Sequence, residues 1–296
     1  MSDSISNTPK PRFVWKTATT IGAATWLVTS QLTGCATTET AEGEAGEGEE
    51  QTLSAHAMHG EGEGEGEGEE GKGGEGEGAA ADGANLATDD VAYLTQLSLI
   101  RGHLAVGNAL YSQGLPDLAE THMKHPRAEI YMSVEPAFAP RGCSGFARGL
   151  TALTNAVVSR QSKSRVEEIY HDLTIAIGRC EVTADVGNPA VLTQVIENLL
   201  RTGGVEYQIG VIDGKIDNLH EYQDAWGFTQ VAADWARSPA YSSPSAKAVA
   251  AQIESLVMSL QSLWPSLNPG ERVDGEAAQL FGAAGRTQVI ALGLNR

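Results

Sequence analysis

The sequence predicts an all-α protein, an antiparallel bundle of seven or eight helices carried behind a disordered tether. Three observations predict it. Beyond residue 88 the apolar residues recur every three or four positions, the helical period, and no stretch alternates cleanly as a strand would. Prolines follow good N-cap residues at Asn188-Pro189 and Ser243-Pro244, where a first-turn proline costs no hydrogen bond. Glycines at 114, 214 and 270 punctuate the pattern as turns or helix ends.

The elements follow in order. Residues 1–35 carry Lys10, Arg12 and Lys16, then an apolar stretch from Thr17 to Leu32, then Leu32-Thr33-Gly34-Cys35. A basic start, a short apolar run and small residues form a secretory signal. The last four residues resemble a bacterial lipobox, which implies cleavage before Cys35 and lipid on its thiol. Ala36 is not Asp, and in lipoproteins that implies release to the outer membrane, facing the periplasm. A plain signal peptide or signal anchor is the other reading, although the stretch is short and polar for a membrane span.

Residues 36–85 form the tether. They hold 14 Glu and Asp82 against Lys72, so this segment carries −14 of the chain's net −18. Its Gly-Glu repeats offer no apolar surface to offset the entropy of ordering glycine or the repulsion between carboxylates. Some 50 such residues reach on the order of 40 Å, holding a domain away from a membrane surface. One island, His56-Ala57-Met58-His59, places two imidazoles and a thioether beside the carboxylates. It reads either as a weak Cu or Zn site or as a solvated spacer.

Residues 86–296 form the bundle, with a net charge of only −6. No basic face is available, so nucleic acid is excluded as a partner. The first helix carries the stripe Leu99, His103, Val106 and Leu110 beside Leu97, Ile100, Leu104 and Tyr111. Phe146, Leu150, Leu153 and Val157 form the next stripe, and Val166, Tyr170, Leu173 and Ile177 another. Val249, Ile253, Leu256, Leu260 and Leu263 form a longer one. Cys143 and Cys180 lie at nearly equal distances from a turn near residue 162, so an antiparallel helix pair brings them together. In an oxidising compartment they read as a disulfide, the alternative being two buried thiols.

Two constellations carry possible chemistry. Around the Gly114-Leu115-Pro116 turn, His103 stands at about the height of His122 and His125, with Glu129 one turn further. Imidazoles and a carboxylate converging on a helical hairpin suit Fe, Zn or Cu. The plainer reading is a hydrogen-bonded core histidine and a capped helix end. Around the Asp213-Gly214-Lys215 turn, His220 and Asp224 share a face at i, i+4, and Glu206 lies across the hairpin. That set suits an iron-like ion, or else is a surface charge network.

Two further motifs are weaker. Glu168-x-x-His171 supplies one half of a di-iron motif without its partner, and looks like a solvated face. His220-Glu221-Tyr222-Gln223-Asp224 lacks the second histidine of a zincin. No nucleophile elbow, phosphate loop or c-haem motif is present in the sequence, so an enzyme, a nucleotide and a haem are not expected.

The run from Tyr207 to Ala232, with Val211, Asp213-Gly214-Lys215-Ile216, Glu221-Tyr222-Gln223 and Phe228, resembles the helical extracytoplasmic region of high-affinity bacterial iron permeases. It is also similar to periplasmic iron-uptake lipoproteins of the imelysin kind, though their Gly-x-His-x-x-Glu motif is missing around Gly102-His103. The resemblance implies metal handling outside the inner membrane, with a metal-transport membrane protein as partner. The expectation is a lipid-anchored helical protein that binds a transition-metal ion in iron uptake or sensing. A metal-free scaffold or partner-binding envelope lipoprotein is the alternative.

Overall fold

The structure, a computed structural model, describes residues 84–295. The expected signal, the Cys35 lipid site, nearly all of the tether and the His56–His59 island lie outside the described residues. The described residues fall in one compact unit. Helix α1 spans Asp90–Gln113, α2 Pro116–His125, α3 Met132–Arg141, α4 Ala147–Val158 and α5 Lys163–Glu181. Then come α6 (Pro189–Gly210), α7 (Leu219–Ala236), α8 (Pro244–Ser259) and α9 (Ala277–Ala291). A π-helical segment, Pro126–Tyr131, fuses α2 and α3 into one rod, which makes eight helices among the described residues. The expected helical bundle is therefore present.

Several helix ends follow from local chemistry. Asp89 caps α1 by accepting from the Ala92 N–H at 2.9 Å, and Gly114 ends it in the left-handed conformation at φ +83°. Pro189 and Pro244 occupy first-turn positions behind the N-caps Asn188 and Ser243. Asn218 caps α7 through the His220 N–H at 3.1 Å. Pro126 opens this π-helical turn, because a proline lacks the N–H an α-turn needs and its ring crowds the carbonyl one turn back.

A two-residue ladder pairs β1 (Val211–Ile212) with β2 (Lys215–Ile216), antiparallel about Asp213-Gly214, and an isolated antiparallel bridge joins Lys215 to Arg272. The ladder closes the α6–α7 hairpin. Asp213 at φ +51° and Gly214 at φ +72° are both left-handed, as such a tight turn requires.

Helix α1 is buried around almost its whole circumference, so it is the central strut. It packs against α2, α5, α6 and α7. Helix α9 lies on α6, and α8 contacts both α7 and α9. Cys143 and Cys180 are joined in a disulfide with Cα atoms 5.1 Å apart, clamping the segment before α4 to the end of α5.

Candidate metal centre

Two close helix crossings build the site. Where α1 meets α7, a Cβ added to Gly227 would lie 2.4 Å from the Gly102 carbonyl oxygen, and one added to Gly102 would lie 2.4 Å from the Phe228 ring. Only the two glycines allow that approach. One residue beyond Gly102, His103 points at Asp224, with Nδ1 2.7 Å from Oδ1. Where α1 meets α2, Gly107 receives the Met123 side chain, whose Cε would be 2.7 Å from an added Cβ. That contact seats His122, whose Nδ1 is 2.9 Å from the same Asp224 oxygen.

The third imidazole comes from α7 itself. His220 lies one turn before Asp224, with Nδ1 3.0 Å from the other carboxylate oxygen, Oδ2. The His122 and His220 rings stack at 4.2 Å and 11°. Donor atoms from His103, His122, His220 and Asp224 all lie within 4.8 Å of one another. The two constellations seen in the sequence are thus one site, formed where the two helical hairpins meet.

His125 and Glu129 stand at its edge. His125 is 4.3 Å from His220 and 6.2 Å from His103, ring centre to ring centre, and its Nδ1 is 3.4 Å from a Glu129 oxygen. Glu206 is a correction to the sequence reading. It is buried on α6 but is not among the converging donors. It shares a face of α6 with Gly203 and Gly210, which pack on Ala225 and Tyr222. At 100° per residue, that face of α7 points away from His220, Asp224 and Gly227. Glu168 and His171 are exposed, Glu168 pairing with Arg165, as a solvated face requires.

Gln223 was given no role by the sequence. It is fully buried, and its amide Nε2 donates to the Leu267 carbonyl at 2.7 Å. A carbonyl only accepts, so the amide's NH2 must face Leu267 and its oxygen must face His122. Gln223 Oε1 lies 2.7 Å from His122 Nε2, which therefore carries a proton. In a neutral His122 the lone pair then sits on Nδ1, the atom facing the Asp224 carboxylate. Either a proton or a metal ion must then join that lone pair to the carboxylate oxygen 2.9 Å away.

The electrostatics sharpen that need. Burial pulls the His122 pKa below the ordinary histidine value, against the attraction of Asp224. His125 is lowered to about 4, by burial first and then by His220 and His103. His220 is raised, because the attraction of Asp224 and Glu221 outweighs its burial. For Asp224, burial pushes up, but the three imidazoles hold the carboxyl well below its usual range. The site thus keeps one ionised carboxylate ringed by imidazoles, of which His122 favours the neutral form.

Donor distances of 2.7–3.0 Å around Asp224 fit the roughly 3.0 Å expected between neighbouring ligands bound at about 2.1 Å in octahedral geometry. Three nitrogens, one hard oxygen and no thiolate suit Fe, Zn or Cu.

Residues 182–287 match the family described as the iron permease-associated 4-helix bundle domain. The match covers α6, α7 and α8 and most of α9. It contains His220, Gln223 and Asp224. His103 and His122 lie outside it, on α1 and α2. No curated protein matches the chain, and no solved structure matches it.

Proposed function

We propose that this protein binds one transition-metal ion through His103, His122, His220 and Asp224, and that it handles iron in the cell envelope. The observation that carries the reading is the Gln223–His122–Asp224 relay. It fixes a proton on His122 Nε2 and leaves Nδ1 to face a carboxylate, the arrangement used when an imidazole ligates a metal and its other nitrogen is held by an outer partner. Iron is favoured over the other ions of this donor class by the similarity of residues 182–287 to an iron permease-associated domain.

Within this reading the role is binding and delivery, not catalysis. Cys35 would anchor the chain, the Gly-Glu segment would display it, and a metal-transport membrane protein would be its partner. No described helix is long and apolar enough to cross a membrane.

The test is thermal unfolding of the full chain with and without metal. A ligand that binds only the folded state at 100 times its Kd stabilises by about 2.7 kcal/mol. Fe(II) under anaerobic conditions, or Zn(II) as a redox-silent substitute, should raise the Tm of the wild type and leave that of Asp224→Asn unchanged. Equal shifts in both proteins, or none in either, would contradict the reading and favour a metal-free helical scaffold.

A further inference from the structure

Three of the four converging donors are fully buried. Asp224, His103 and His122 each have 0% side-chain exposure, and an ion held among them has no direct contact with solvent. Exposure then rises residue by residue toward Glu129. His220 is 16% exposed, His125 29% and Glu129 36%. These residues touch in sequence: His220 stacks beside His122, His125 lies 4.3 Å from His220, and Glu129 lies 3.4 Å from His125. Metal-binding side chains therefore run unbroken from solvent to the buried carboxylate.

We propose that His125 and Glu129 form an outer metal position, through which a divalent transition-metal ion passes between solvent and the buried set. This inference rests on the metal reading above and assigns a role to two residues outside the four-donor group.

Two further observations support it. First, His220 belongs to both positions. Its Nδ1 lies 3.0 Å from Asp224 Oδ2, while its Nε2 is buried without a hydrogen-bond partner among the described residues. An ion can therefore exchange one donor for the next without being released bare into a low-dielectric interior, which is the costly alternative. Second, the outer pair stands at a π-helical insertion. His125 is the last residue of α2, and Glu129 lies inside the Pro126–Tyr131 segment. Such segments lack the ordinary i to i−4 bonding, so the pair can shift with less cost than residues on a regular helix.

A divalent charge follows from the donors. The four donors supply one negative charge, so a divalent ion leaves a net +1 and a trivalent ion a net +2 among largely buried side chains. The second is the more expensive to bury. Glu129 adds its charge only at the surface, where a hydrated ion first arrives.

The experiment is stopped-flow exchange of Co(II) on the full chain, read by its visible absorption. Release to a chelator is followed in the same samples, and the equilibrium Kd is measured by competition. His125→Ala and Glu129→Ala are compared with wild type; both sites are partly exposed, so folding is expected to survive. The proposal expects uptake and release to slow together by about tenfold or more in His125→Ala, with Kd changed by less than about threefold, since a lost stepping stone slows both directions alike. Glu129→Ala should slow uptake more strongly at low salt.

Unchanged exchange rates in both variants would overturn the proposal. So would faster release with a Kd weakened about a hundredfold, since that would make His125 a ligand of the buried ion. If wild-type protein takes up no Co(II), the metal reading itself fails, a result distinct from either of these.

Discussion

Gly102 and Gly227 touch backbone to backbone, and that contact sets the distance between His103 and Asp224. A Cβ on Gly227 would sit 2.4 Å from the Gly102 oxygen and 2.7 Å from Val106 Cγ2, so α1 and α7 would have to part. Two of the four converging donors lie on either side of this crossing, and a third, His220, shares α7.

Gly227→Ala is therefore expected to cost about 1–3 kcal/mol, the range for overpacking a tight interior. It should also weaken metal binding beyond what its stability loss explains. The control is Gly285→Ala on α9, where an added Cβ meets nothing within 4 Å. That change should stabilise by about 0.5–1 kcal/mol through helix propensity alone. Urea unfolding of both variants checks the pair. A Gly227→Ala protein as stable as wild type would contradict the crossing.

Gln223→Leu should lower metal affinity by about 10–100-fold, the usual effect of removing an outer-shell partner. The substitution leaves His122 Nε2 and the Leu267 carbonyl without their bonds but keeps all four donors. Competition titration with a chelating dye measures it. Unchanged affinity would show that the proton on His122 is not set by this amide.

Acid should destabilise the metal-free protein across the window from pH 6.5 down to about 4. His125 has a folded pKa near 4 against an ordinary 6.5, and burial lowers His122 as well. In that window the unfolded chain binds more protons than the folded one at these two residues, so stability falls as pH falls. Asp224, held low, adds a loss in the same direction further down, as pH falls toward its folded pKa. His220 opposes them, because its raised pKa adds stability below 6.5 that is lost as pH rises through the folded value. Urea midpoints at pH 7 and pH 4.5, with chelator present, should be lower in acid. A higher midpoint at pH 4.5 would mean that His220 dominates.

Reducing the Cys143–Cys180 bond should cost about 4 kcal/mol in the chain-entropy view, for a loop closed over a separation of 37 residues. Melting with and without a phosphine reductant reads it. No change in Tm would show that the bridge closes little that packing does not already hold.

Much of the fold was legible in the sequence because helical spacing and capping are local. The stripe from Leu97 to Tyr111 and the caps at Asn188, Ser243 and Gly114 each needed only a few neighbouring residues. The donors were legible for the same reason, through their distances from two turns. What the sequence hid was three-dimensional. It showed two constellations, since nothing local says that the hairpin after α1 meets the hairpin after α6. Helix faces across a hairpin were also hidden, and so Glu206 was misplaced. Gln223 was visible only as part of a motif, because its role depends on the Leu267 carbonyl, 44 residues away. The glycine pair that joins the hairpins had only Gly102 as a visible sign, beside His103, with no indication of its partner Gly227.

The central claim is that one ion is shared by four residues from two hairpins. Anaerobic equilibrium dialysis of the full chain against Fe(II), with metal counted per chain, tests it most directly. The account predicts one tightly held ion in the wild type and its loss in both His103→Ala and Asp224→Asn, which lie on different helices. It also predicts the ion's retention when His56 and His59 are replaced by alanine. An ion that persists without His103 and Asp224 but disappears with His56 and His59 would place metal binding outside the bundle and contradict the account.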